Sequence, residues 1–91
     1  MNREECLNQA KECVTKDRNN QYGTPEDNFG VISDMWNAYL GVDYQITPVD
    51  VAIMLALLKV ARISTGTVKE DSFVDLCGYG ACACELATRG E

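Results

Sequence analysis

Four charged residues carry the spacing that could do chemistry. Lys59 and Arg62 stand three apart, and Asp71 and Asp75 stand four apart, so on helices each pair shares a face. Carboxylates at i, i+4 supply hard oxygen ligands suited to Mg²⁺ or Mn²⁺. A neighbouring Lys takes phosphate oxygens as a point charge and an Arg takes them in bidentate fashion. Together these are the parts for metal-assisted attack of water on a nucleotide. In that assignment Asp71, Asp75 and Lys59 are the candidate catalytic residues. Glu26 and Asp27 join Asp71 and Asp75 as candidate metal ligands. Arg18, Tyr22, Lys59, Arg62 and Tyr79 are candidate substrate contacts, either tyrosine being able to stack on a base or hydrogen-bond a sugar. The plainer reading makes Arg62–Asp71 and Lys59–Asp75 ion pairs that pin a helical hairpin, with Asp17, Glu26 and Asp27 as solvated or capping acids. Against it, Lys59 and Arg62 are the only basic residues of a helix that is otherwise nearly all apolar, where charge is costly without a partner or a purpose.

Four helices must position these groups. Residues 3–18 carry Cys6, Leu7, Ala10, Cys13 and Val14 as an apolar stripe, broken afterwards by Asn19 to Gly23. Thr24-Pro25-Glu26-Asp27 and Thr47-Pro48-Val49-Asp50 write two helix starts alike, with Thr at the N-cap, Pro at the first helical position and an acid at the third. The second helix, 25–40, presents Phe29, Ile32, Met35, Trp36, Tyr39 and Leu40 and ends at Gly41; Tyr44 and Ile46 of the following connector are expected to tuck inward. The third, 48–64, is apolar on nearly every side, so it belongs at the centre of the fold or in an oligomer interface. The fourth, 69–88, is expected to turn Phe73, Leu76, Cys77, Ala81, Cys84 and Leu86 inward. Its interior glycines, Gly78 and Gly80, ask for a closely approaching neighbour, since each costs about 1 kcal/mol relative to Ala. The fold class is an all-α, four-helix bundle-like domain over residues 1–91.

Register brings the polar residues together. A hairpin centred near residue 66 or 67 sets Arg62 opposite Asp71 and Lys59 opposite Asp75. In an up-down-up-down bundle the first and third loops share an end, which would gather Asp17, Arg18, Tyr22, Glu26 and Asp27 at the pole of Lys59, Arg62, Asp71 and Asp75.

Composition removes other classes. Eight Lys and Arg against fourteen Asp and Glu give a net charge of −6, poorly suited to gripping a nucleic-acid backbone. The longest apolar run, Val51–Leu58, is eight residues, too short to span a membrane, and the start Met1-Asn2-Arg3-Glu4-Glu5 lacks the basic-then-apolar pattern of a signal peptide; a cytoplasmic location is expected. With no His, imidazole-based catalysis and His-ligated metals are excluded. The five cysteines form no C-x-x-C pair and are expected to be small buried thiols, with a zinc site the lesser reading. A chain this short with an all-apolar third helix is expected to form a homodimer or a larger oligomer.

The strings Lys16-Asp17-Arg18, Tyr22-Gly23-Thr24-Pro25-Glu26-Asp27-Asn28-Phe29, Leu58-Lys59-Val60-Ala61-Arg62 and Glu70-Asp71-Ser72-Phe73-Val74-Asp75-Leu76-Cys77-Gly78-Tyr79 together resemble a family of short phage and prophage proteins with a domain of unknown function. That resemblance covers nearly the whole chain and implies a viral or prophage origin, hence the host cytoplasm. More remotely the chain is similar to the MazG-like all-α nucleoside triphosphate pyrophosphatases. These are helical, usually oligomeric and Mg²⁺-dependent, and cleave nucleoside triphosphates to the monophosphate and pyrophosphate. Their signature, E-E-x-x-E on one helix and E-x-x-D on the next, is sparser here: Glu26-Asp27 is followed by Gly30, and the second element is Asp71-x-x-x-Asp75. The resemblance implies a metal role for Asp71 and Asp75, with Asp27 and Glu26 supplying part of the first element. The function expected is a metal-dependent nucleotide pyrophosphohydrolase, or a nucleotide-binding relative that has lost hydrolysis. The alternative is a non-enzymatic acidic phage accessory protein that binds a basic host protein.

Overall fold

Side-chain caps fix where three of the helices begin. In the computed structural model, which describes residues 1–17, 23–41 and 43–89, α1 (Arg3–Glu12) starts from Asn2, whose Oδ1 accepts the Glu5 N–H at 2.8 Å while Glu5 Oε1 accepts the Asn2 N–H at 3.3 Å. The same reciprocal box opens α3 (Pro48–Thr65): Thr47 Oγ1 accepts from Asp50 N–H at 3.1 Å, and Asp50 Oδ2 accepts from Thr47 N–H at 3.0 Å. At α2 (Pro25–Leu40) Thr24 Oγ1 accepts the Asp27 N–H at 3.3 Å. The last helix, α4 (Glu70–Thr88), starts at Lys69 with no side-chain cap. Gly23 and Gly41, at φ of 81° and 109°, take the left-handed backbone that the chain needs before and after α2. The domain is all-α, with no strand among the described residues.

The first helix differs from expectation at its end, where Cys13–Asp17 form a π-helical turn. The wider turn carries Val14 onto α4, against Gly78. A Cβ on Gly78 would sit 2.9 Å from Val14 Cγ1, so this glycine is the close approach that its place in a helix asks for, while Gly80 has open space around it.

α3 and α4 form an antiparallel hairpin with the most extensive contact in the molecule. The core is small: Phe29, Val51, Ala52 and Cys82, joined by partly buried Val14, Ile32, Trp36, Ile46, Leu55, Tyr79, Ala83 and Leu86. Ile46 is held by Asn37, whose Nδ2 donates to the Ile46 carbonyl at 2.9 Å and whose Oδ1 accepts the Ile46 N–H at 2.8 Å. Tyr44, in contrast, stays exposed, as do Leu7, Met35, Tyr39, Leu40 and Phe73. The third helix is not buried all round: Val51 and Ala52 are enclosed, and the opposite face is open. Of the thiols, Cys82 is buried, Cys84 is exposed, and none forms a disulfide. Ala81 is exposed as well.

The helices do not follow an up-down-up-down course. The Met1 ammonium lies 3.1 Å from Glu70 at the start of α4, while Val14 reaches Gly78 further along it. α1 therefore runs parallel to α4, and the first and third connections fall at opposite poles.

Candidate functional site

The turn between α3 and α4 gathers the charges that spacing singled out. Lys59 Nζ is 2.9 Å from Asp75 Oδ2, the cross-hairpin partner expected from register, with the Lys59 side chain only 14% exposed. Beside this pair lies a cavity of about 510 Å³ whose lining includes Lys59, Arg62, Lys69, Asp71, Ser72 and Asp75. Arg62 and Asp71 both line it without forming an ion pair with each other. Three of the eight basic residues of an acidic chain thus surround one cavity that holds two carboxylates. The uncapped N-terminus of α4 adds a partial positive charge at the same place. Sequence reasoning missed Lys69; its position at the head of a helix, two residues before Asp71, was the available signal.

The other expected site residues lie elsewhere. Glu26 is paired with Arg89, just beyond the C-terminal end of α4, and Arg89 also reaches Glu85 at 3.0 Å. About 20 Å of helix axis separates Asp71 from Glu85 at 1.5 Å per residue. Glu26 and Asp27, adjacent in the first turn of α2, therefore cannot join Asp71 and Asp75 around one ion. The expected convergence of the two loops fails because α1 and α4 run parallel. Glu26 instead lines a second cavity of about 470 Å³, between α1 and α4, with Lys11, Val14 and Gly78 among its walls. Hydrogen bonds from its own backbone N–H and the Thr24 side chain, then the Arg89 charge, hold its carboxyl below the ordinary range. Asp27 is exposed. Tyr79 packs into the core with its ring centroid 6.3 Å from that of Phe29 and does not line the cavity at the turn. Arg18, Tyr22 and the Asp17 side chain lie outside the described residues.

For a cation, the cavity at the turn offers Asp71 and Asp75, the latter already engaged by Lys59. Among the described residues no group of three or more Cys, Asp or Glu is close enough to hold a metal by itself. Two carboxylates fit the way Mg²⁺ is held when substrate phosphates and water complete its shell. Cys6 and Cys77 lie in hydrogen-bond contact between α1 and α4, and desolvation first, then Cys77, raises the Cys6 thiol pKa, a direction that keeps it protonated and unreactive.

A family model for a domain of unknown function, DUF6378, matches residues 5–87. The chain belongs to the DUF6378 family. It is 35% identical over 79 residues to the Gene 55 protein of Mycobacterium phage D29, covering 87% of this chain and 51% of that protein. It is 39% identical over 74 residues to the Gene 55 protein of Mycobacterium phage L5, covering 80% and 46% respectively. The DUF6378 chain thus spans about half the length of the curated relatives it matches. No solved structure matches it. Both of these relatives are bacteriophage proteins, in line with the phage resemblance of the sequence strings, and no described helix of this member is long and apolar enough to cross a membrane.

Proposed function

We propose that the cavity at the α3–α4 turn binds a nucleotide through its phosphates. The observation that supports this most is the clustering of Lys59, Arg62 and Lys69 with Asp71 and Asp75 around a cavity of about 510 Å³. That volume lies in the range of small-molecule sites. Arg62 and Lys69, both exposed, are free to turn onto phosphate oxygens, while Lys59 stays with Asp75 and sets the register. A Mg²⁺ or Mn²⁺ ion would be taken by Asp71 and the outer face of Asp75, with the ligand's phosphates completing its shell.

The finer form of the proposal is a pyrophosphohydrolase: water attacks the α-phosphorus, the α–β phosphoanhydride bond breaks, and nucleoside monophosphate and pyrophosphate leave. The remote MazG-like similarity favours it. The small number of gathered carboxylates favours the coarser form, a nucleotide binder.

The test is a thermal-shift panel of nucleoside mono- and triphosphates with and without Mg²⁺ or Mn²⁺. A ligand present at about 100 times its dissociation constant adds about 2.7 kcal/mol to the folded state. A metal-dependent rise with a triphosphate, lost in Arg62→Ala, is the expected result, and pyrophosphate release assayed on the same samples separates hydrolase from binder. Silence towards every nucleotide rejects the proposal and leaves the charges as hairpin ion pairs.

A further inference from the structure

α3 carries more apolar side chain than the core of one chain covers. Ile53, Met54, Leu57, Leu58 and Val60 are between 41% and 60% exposed. Asp50, Ile53, Leu57, Val60 and Ser64, all exposed, follow one another at intervals of three, four, three and four. That is the spacing of a seam that packs against another helix. Met54 extends the patch to α2, where it shares an apolar groove of about 180 Å³ with Trp36, Tyr39, Leu40 and Ile46. The turn cavity is not part of this surface, because Lys59 and Arg62 project from the other side of α3.

Area says how much is missing. The chain exposes 6334 Å². A compact monomer of 10.0 kDa exposes about 5,200 Å². The surplus of about 1,100 Å², taken over the whole chain, is of the order of the roughly 800 Å² that each partner contributes to a standard interface. Single exposed apolar residues need no explanation, but a contiguous apolar face does.

We infer that a second copy of this chain covers the face, as a two-fold, antiparallel pairing of α3 with α3 centred on Leu57. Counted from Leu57 the seam runs four and seven residues back and three and seven forward, so a reversed copy matches it to within one residue. Antiparallel pairing sets Leu57 against its own copy, Ile53 against the partner's Val60, and Asp50 against the partner's Ser64. Parallel pairing would instead put Asp50 beside its own copy, two like charges in one seam, which disfavours it. A two-fold contact also closes on itself. With a net charge of −6 on each copy, the pairing tightens as salt screens the repulsion.

The mass in solution tests this. Light scattering from about 5 to 200 µM protein is expected to give about 20 kDa, twice the 10.0 kDa chain. Leu57→Glu is expected to give the single-chain mass with its helical circular dichroism retained. If that variant fails to fold, position decides: oxidised Leu57→Cys protein is expected to yield a 57–57 cross-linked peptide, and Leu7→Cys, equally exposed but on α1, no 7–7 link. A single-chain mass at every concentration overturns the inference and leaves the face to the extra length of the longer relatives. A two-chain mass that persists in folded Leu57→Glu, or cross-linking at position 7 as readily as at 57, overturns it too.

Discussion

Lys59 shows how one residue joins fold to site. Its side chain is mostly covered, and its ammonium meets Asp75 at 2.9 Å across the hairpin. Replacing Asp75 by Asn leaves that charge without its carboxylate. The expected cost is about 1–3 kcal/mol, below the figure for a fully enclosed pair because Asp75 is 39% exposed. Lys59→Met, which removes the charge and keeps the stem, should cost less; urea unfolding of both variants checks the order. Glu26 makes a pH prediction of known sign. Its folded-state pKa lies below the ordinary 4.5, so its contribution is present above that value and lost as pH falls through the lowered one. Glu26→Gln should therefore lower stability at pH 7 and flatten its loss below about pH 4.5, so that the two proteins converge in acid. The Lys59–Asp75 contact was legible in the sequence because a short turn between two helices fixes who faces whom. The placement of Glu26 was not, because it depends on helices that are distant in the chain.

Among the elements, α4 is distinguished by its two internal glycines. Gly78→Ala drives a Cβ to within 2.9 Å of Val14 Cγ1, a β-branched side chain on the π-helical turn with little room to give. Gly80→Ala meets nothing within 4 Å and gains helix propensity. The pair should differ by about 1–3 kcal/mol in opposite directions from the parent, read as a shift in unfolding midpoint. The connector after α2 depends on one side chain: Asn37→Ala removes both hydrogen bonds to the Ile46 backbone. About 1–3 kcal/mol should be lost, with earlier amide exchange at Ile46. Helix boundaries were readable because Thr-Pro-x-Asp starts and glycine stops are local signals. The π-helical turn and the Asn37 clasp were not, since each answers to a partner outside its own segment. The exposed face of α3 was only half legible: its composition shows an excess of apolar residues and not which side the chain itself covers.

For the molecule as a whole, the decisive feature is the parallel course of α1 and α4. It sends Glu26 and Asp27 to one pole and leaves Lys59, Arg62, Lys69, Asp71 and Asp75 at the other. The proposed site is therefore confined to the α3–α4 hairpin, and the nucleotide proposed for it should be recognised by phosphate-binding side chains from that hairpin alone. Amide chemical-shift mapping with a Mg²⁺-loaded nucleoside triphosphate reads this directly, because it reports both whether the ligand binds and where. Saturable shifts confined to Lys59, Arg62 and the segment from Gly66 to Asp75, abolished by Arg62→Ala, are the expected result. Shifts centred instead on Val14, Glu26 and Gly78 around the other cavity, or none at all at millimolar ligand, would contradict it.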